Sequence, residues 1–267
     1  MRISVEHTTV YRYDTPVWPE PHTIRLRPRT DAAQRLIRHE IAILPQPAGQ
    51  SWCLDQDGNV VLETWFVDQI AELQVRSAFE VETTRENPFD YLPRGQEALP
   101  EGLAPYLGAS QDPAVLDLVH RIGDREPQAF AGELNRILWA EFDHIVRDEG
   151  APETPARTLE LRNGSCRDLA VLFCAAARTR GIPARFVSGY EQEASMHETA
   201  YMHAWAEVYL AGGGWRGYDP SQGLAVATSH VAVAAAADPL LAAPMSGTYR
   251  GAARSKMDFQ IAMQVQF

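Results

Sequence analysis

Asn163-Gly164-Ser165-Cys166-Arg167-Asp168-Leu169-Ala170-Val171-Leu172-Phe173 joins a loop cluster to a run of periodic apolar residues, and the join is where a helix begins. A helix from about Ser165 to Arg180 puts Leu169, Phe173, Ala176 and Ala177 on one inward stripe, and Gly181 followed by Pro183 ends it. Cys166 falls in the first turn. Unpaired N–H groups and the positive end of the helix dipole favour a thiolate there, below the usual thiol pKa of about 8.5. The same N–H groups can form one arm of an oxyanion hole. Gly164 lets the backbone approach closely and exposes the sulfur.

Downstream the pattern changes from helical to alternating. Ala184 to Tyr190, Ala204 to Leu210 and Trp215 to Asp219 read as strands, and Ala211-Gly212-Gly213-Gly214 makes the last two a hairpin. Alternation puts His203 and Trp205 on one face of the sheet, and Asp219 ends the partner strand where it can meet His203. A thiol, an imidazole that takes its proton and a carboxylate that orients the imidazole make a cysteine nucleophile. Cys166, His203 and Asp219 are the candidates for these roles. Cys53, between Trp52 and Leu54, and Cys174, between Phe173 and Ala175, read as small buried hydrophobes. The other histidines, His197 included, read as solvent-facing or packing residues.

The Gly-Ser-Cys-Arg-Asp helix start, the Gly181-Ile182-Pro183-Ala184-Arg185 exit, the strand His203-Ala204-Trp205-Ala206-Glu207-Val208 and Tyr218-Asp219-Pro220 together resemble the core of the transglutaminase-like superfamily. The bacterial branch described as cysteine proteases is the nearest likeness, over roughly residues 158–223. The resemblance implies an α+β fold with a papain-like core, a helix packed on an antiparallel sheet that carries the histidine and aspartate. It also implies that Cys166 is the nucleophile, His203 the general base and acid, and Asp219 the orienting group. Ser165 and Arg167 flank the cysteine where crosslinking transglutaminases carry glutamine and tryptophan, which moves hydrolysis ahead of amine transfer. Transglutaminases use an upstream tryptophan as an oxyanion donor. Trp139 is the candidate for that role, although nothing around it matches the family motif and packing is the favoured reading.

Members of this kind often carry an N-terminal β domain, and the first 86 residues fit one. Ile3 to Tyr11, Ile24 to Arg27 and Ile37 to Ile41 alternate, a hairpin runs from Trp52 through Asp57-Gly58 to Phe66, and a strand covers Ala71 to Val81. Residues 87–267 then hold the catalytic core. Asn87 to Gly95 and Arg147 to Pro155 read as loops, Ala114 to Ile122 after Asp112-Pro113 and Gln128 to Phe142 as helices. Val231 to Ala237 reads as a short helix ended by Asp238-Pro239, and Met257 to Phe267 as a strand completing a sheet.

The 267 residues carry a net charge of −11, which disfavours nucleic-acid and membrane-surface partners. The amino terminus lacks a signal-peptide pattern and no apolar run approaches a membrane span, so with three cysteines that cannot all pair, a cytoplasmic location is expected. No Cys-x-x-Cys or His-x-x-x-His pair and no dense acidic loop is present, so no metal and no cofactor is expected. The expected reaction is acyl transfer at an amide or peptide bond through a thioester, chiefly hydrolysis of a peptide or protein substrate. Arg167, suited to a substrate carboxylate, Trp205 and Tyr218 are the candidate substrate contacts, with support of the histidine strand as the competing role for Trp205 and core packing for Tyr218. Two alternatives stay open: transglutaminase-type amine transfer, and a catalytically silent peptide-binding module in a peptide-modifying assembly. Oligomeric state is not legible.

Overall fold

The computed structural model describes residues 1–95, 99–147, 150–192 and 201–266. The chain opens with six strands, β1 (Arg2–Pro19), β2 (His22–Ile24), β3 (Gln34–Leu44), β4 (Gly49–Leu54), β5 (Val60–Trp65) and β6 (Ile70–Thr83). A 3₁₀ turn at Glu101–Tyr106 leads to helices α1 (Pro113–Ile122) and α2 (Pro127–Glu141). Then come β7 (Asp143–His144), α3 (Pro155–Leu161), β8 (Asn163–Gly164) and α4 (Cys166–Thr179). The strands β9 (Ala184–Glu191), β10 (His203–Leu210), β11 (Gly214–Asp219), β12 (Leu224–Ala225) and β13 (His230–Ala236) follow, and β14 (Met245–Ser246), β15 (Tyr249–Arg250) and β16 (Ser255–Gln266) finish the chain.

The mixed α+β architecture is the one expected. Strands β12-β11-β10-β9-β13 form an antiparallel sheet in that order. Helix α4 lies on one face of it. Leu169, Phe173, Ala176 and Ala177 are buried with Ala206, Val208 and Tyr218 of the sheet and with Phe130, Leu134 and Leu138 of α2. Each buried large apolar side chain contributes about 1.5–3 kcal/mol relative to exposure, so this cluster fixes the position of α4 and hence of the cysteine at its start.

The N-terminal region is β-rich, as expected, with one long sheet around β1, flanked by β6 and then β3 on one side and by β15 and β16 on the other, and a second sheet ordered β14-β2-β5-β4. Strands from beyond residue 86 enter both of these sheets. The terminal strand β16 completes the N-terminal sheet by pairing with β1, and β14 joins β2. Alternating residues of β1 point inward, and Ile3 and Val5 join Phe79, Tyr190, Val231 and Val233 in one cluster that welds this sheet to β9 and β13.

That weld explains a difference from the sequence reading. Residues 231–237 read as a short helix, yet 231–236 belong to β13, whose seven residues are all buried. A strand covered on both faces shows a continuous apolar run with no alternation, and periodicity alone does not separate it from a helix. Its outer edge is also satisfied. The side-chain amide of Gln34 accepts from Ala232 N–H and donates to Ala232 C=O, each at 2.8 Å. Asn59 does the same at Ala235, at 2.8 and 2.9 Å. These two amides stand in for the missing neighbouring strand.

Candidate active site

Helix α4 starts where the sequence places it, and its start is heavily braced. The buried Asp168 carboxylate accepts from the Ser165 N–H at 2.8 Å and the Ser165 hydroxyl at 2.6 Å, closing the first turn back on its cap. Its other oxygen accepts from the Arg147 guanidinium at 2.6 Å and from Glu153 N–H at 2.7 Å. Gly164 lies so close to this turn that an added Cβ would stand 2.9 Å from the Asp168 Cβ, which is the close backbone approach expected of it.

Cys166 is partly exposed at the head of this helix, packed beside Ala170, Phe186 and Ala204. Burial pushes its thiol up, but hydrogen bonds from His144 and His203, the charge of His203 and the Ala204 N–H outweigh it, and the pKa falls to about 6. Cys174, two turns along the same helix, has burial without such partners and is pushed up to about 12. Cys174 is the inert packing residue expected. Cys53 is not. It sits in the exposed strand β4 beside Trp52 and Leu54, which are themselves exposed, so its apolar neighbours misrepresent its setting.

His203 opens β10 opposite Gly189. Its Nε2 lies 2.6 Å from Asp219 Oδ2, which leaves Nδ1 as the ring nitrogen for the cysteine sulfur. Burial lowers the basicity of His203, but the Asp219 charge and hydrogen bond and the sulfur's own charge raise it well above the ordinary histidine value. Asp219 is fully buried, and both its oxygens are occupied. Oδ2 accepts from His203 and, at 3.1 Å, from His230 Nε2, while Oδ1 accepts from Ser221 N–H at 3.0 Å and its hydroxyl at 2.7 Å. Burial favours the neutral acid, yet the charge and hydrogen bonds of the two imidazoles hold the carboxyl far below the usual carboxylate range. Thiol, imidazole and carboxylate therefore stand in one hydrogen-bonded line, with the chemistry of a thiolate–imidazolium pair.

Two histidines enter this site that the sequence reading left among solvent-facing or packing residues. His230 begins β13, is buried, and reaches Asp219 while Ser229 Oγ lies 2.9 Å from its Nδ1. His144 lies in β7, parallel to β8, directly opposite Gly164. His197 lies outside the described residues. Either site histidine can be recognised only from three-dimensional contacts, because His144 precedes the cysteine by 22 positions in a two-residue strand and His230 heads an unpatterned apolar run.

The candidate substrate contacts are placed differently from expectation. Trp205 is 1% exposed, stacked on His203 with centroids 6.4 Å apart and edge-on to His230 at 5.1 Å. Gly189 makes room for it, since a Cβ there would meet the Trp205 ring at 2.7 Å and the Val231 carbonyl at 2.1 Å. Tyr218 is 2% exposed and stacked on Phe173 at 5.6 Å. Trp205 supports the two histidines from inside the protein, Tyr218 packs in the core under α4, and neither buried ring offers a surface to a substrate. Arg167 turns its guanidinium onto the carbonyls of Gly150 and Arg147, so in this structure it braces a loop. Trp139 is half-exposed with its ring against Gly223, whose added Cβ would stand 2.7 Å from it, a packing position at the rim.

Among the described residues, one trio of side chains could converge on a metal ion, His203, Asp219 and His230, with donor atoms within 4.8 Å of one another. Zinc would need bonds of about 2.0–2.2 Å in place of the protons now shared between the imidazoles and the carboxylate. The donor set fits the hydrogen-bonded arrangement already described better than a cation. No helix among the described residues is long and apolar enough to cross a membrane.

Residues 3–82 match the family described as the bacterial transglutaminase-like N-terminal region, and residues 117–220 match the transglutaminase-like superfamily. An uncharacterized protein of Mycobacterium leprae is 27% identical over 278 residues, covering 99% of this chain and 98% of its own. An uncharacterized protein of Mycobacterium tuberculosis is 25% identical over 287 residues, covering 97% and 91%. Among solved structures, one from Cytophaga hutchinsonii described as "a Putative Cysteine Protease" superposes with a TM-score of 0.78 at 19% identity, over 100% of this chain and 92% of its own, which shows a shared fold.

Proposed function

The chain belongs to the transglutaminase-like superfamily, and from that premise we propose that it is a cysteine hydrolase of amide or peptide bonds. Cys166 is the nucleophile, His203 the general base and acid, and Asp219 the orienting carboxylate. The observation that carries this reading is the hydrogen-bonded line from the partly exposed Cys166 sulfur through buried His203 to buried Asp219.

The Cys166 thiolate attacks the carbonyl carbon, an Sγ–C bond forms and the carbonyl π electrons move to oxygen. On collapse the C–N bond breaks, the imidazolium of His203 gives its proton to the departing amine, and a thioester remains. His203, now neutral, takes a proton from water as the water oxygen attacks the thioester. The second collapse releases the carboxylic acid and returns the sulfur as a thiolate beside the imidazolium. Asp219 keeps one tautomer in place and stabilises the imidazolium at each stage. Hydrolysis is favoured over amine transfer because Ser165 and Arg167 flank the cysteine where crosslinking enzymes carry glutamine and tryptophan.

The test is thiol labelling followed by isotope tracing. Limiting iodoacetamide should label Cys166 first, with a rate that rises through an apparent pKa of about 6 and falls sharply in His203→Ala. A peptide library digested in H₂¹⁸O should then gain ¹⁸O at newly formed carboxyl ends, and a fluorescent primary amine added in excess should not be incorporated. Incorporation of the amine in place of oxygen would convert the reading to acyl transfer. Preferential labelling of Cys53, or a His203→Ala rate equal to wild type, would sink it.

A further inference from the structure

The sulfur of Cys166 is approached by two imidazoles, and the mechanism above uses one. His144 is held in position from two sides. Asp143 N–H donates to Arg162 C=O and Ile145 N–H to Gly164 C=O, both at 3.0 Å, so the residues around His144 are laced to the strand that runs straight into the nucleophile. The loop that follows is tied to the first turn of α4. Arg147 and the Glu153 N–H bind Asp168, and Arg167 holds the carbonyls of Gly150 and Arg147. The residues flanking the cysteine thus fix the segment that aims His144, and the ring hydrogen-bonds to the sulfur.

The two imidazoles differ in everything else. His203 is buried and paired with a carboxylate, and among the described residues His203 and His230 carry the histidine–carboxylate pairings. His144 is exposed. An imidazole with an N–H to offer and no carboxylate behind it is equipped to donate a hydrogen bond, not to carry a proton back and forth. When a carbonyl adds to Sγ, its oxygen becomes negative on the atom next to the sulfur. A donor already in contact with Sγ needs only a small swing to stand about 2.7–3.1 Å from that oxygen.

We propose that His144 is a further catalytic residue, the side-chain donor of the oxyanion hole, acting with the backbone N–H groups at the start of α4. The inference rests on Cys166 being the nucleophile. No proton changes hands at His144. Its N–H moves from sulfur to oxygen as the Sγ–C bond forms, and back as the C–N or C–O bond breaks and the carbonyl is restored.

Two electrophiles separate this role from simple activation of the thiol. Acetylation by p-nitrophenyl acetate passes through an oxyanion, whereas alkylation by iodoacetamide does not. Both are measured on wild type, His144→Ala and His144→Gln, on the alkaline plateau of each pH profile where the sulfur is ionised in every variant. The expected result for His144→Ala is a fall of the p-nitrophenolate burst rate by a factor on the order of 10²–10³. Its alkylation rate should stay within about threefold of wild type, which also reports an intact site. His144→Gln, which keeps an N–H donor, should recover at least about tenfold of the loss. A burst that is unchanged, or that falls only as much as alkylation falls, would overturn the role of His144 while leaving Cys166 as nucleophile. A wild-type protein that alkylates at Cys166 but forms no acetyl-enzyme would overturn the hydrolase reading and this inference with it.

Discussion

His7 in the N-terminal sheet and His203 in the catalytic sheet are both buried imidazoles, and their basicities move in opposite directions. His7 has hydroxyls for partners, Tyr190 at 2.7 Å and Thr9 at 3.0 Å, and burial drives its pKa down to about 4. His39, in the same sheet and near the Ser77 hydroxyl, is also lowered to about 4. His203 suffers the same desolvation but faces Asp219, and it is raised. Burial by itself makes an imidazole neutral and inert; a buried carboxylate reverses the sign. The N-terminal sheet thus uses histidine as packing, while the catalytic sheet uses it to hold a proton.

The most direct way to break the contrast is to remove the carboxylate. Asp219→Ala should turn His203 into a second His7, neutral at physiological pH. Turnover of a peptide or ester substrate should fall on the order of 10³-fold, and the alkylation profile of Cys166 should move from about 6 toward the ordinary thiol range. If the profile stays near 6, Asp219 is not what charges His203.

A smaller effect is expected at His230, which shares Asp219 Oδ2 with His203. A hydrogen bond to a charged group contributes about 1.5–3 kcal/mol, so His230→Phe should cost about tenfold in turnover or somewhat more. The pH optimum should narrow, because an imidazolium held less firmly loses its proton at lower pH while Cys166, with a weaker counter-charge, ionises at higher pH. A loss equal to that of Asp219→Ala would mean that His230 carries the carboxylate's geometry outright.

The mildest test is thermodynamic. In the folded state His7 binds its proton only near pH 4, whereas in the unfolded chain it does so near 6.5. Its neutral form therefore supports folding fully above about pH 6.5, and that support is lost as pH falls toward 4. The loss over this window should be roughly 2–3 kcal/mol, visible as a falling Tm, and His7→Gln should flatten part of the slope. An equally steep slope in the variant would assign the acid sensitivity elsewhere.

How far the sequence discloses all this depends on how local each feature is. Helix α4 is legible because its cap, its first-turn cysteine, its apolar spacing and its glycine exit lie within twenty residues. The His203 strand and the Asp219 hairpin are legible for the same reason, as alternation with a tight turn between. Strand β13 escapes because burial on both faces erases alternation, and with it goes His230, whose partner is 11 residues away through a turn. His144 escapes because a two-residue parallel pairing has no period to detect. The burial of Trp205 and Tyr218 escapes because nothing along the chain says which aromatic rings pack inside and which line a site.

The pairing of β1 with β16 also bears on how the chain is made. Arg2 to Tyr13 lie against Gln266 to Ser255, one of the most distant contacts in sequence that the chain can form. During synthesis β1 can find β6 early, but its other edge has no partner until residues 255–266 emerge. For that interval a 12-residue row of unpaired backbone groups is open to any other nascent strand. A chain cut before Ser255 would keep that edge exposed for good, which makes association into aggregates, more than loss of the active site itself, the characteristic failure of C-terminal truncation.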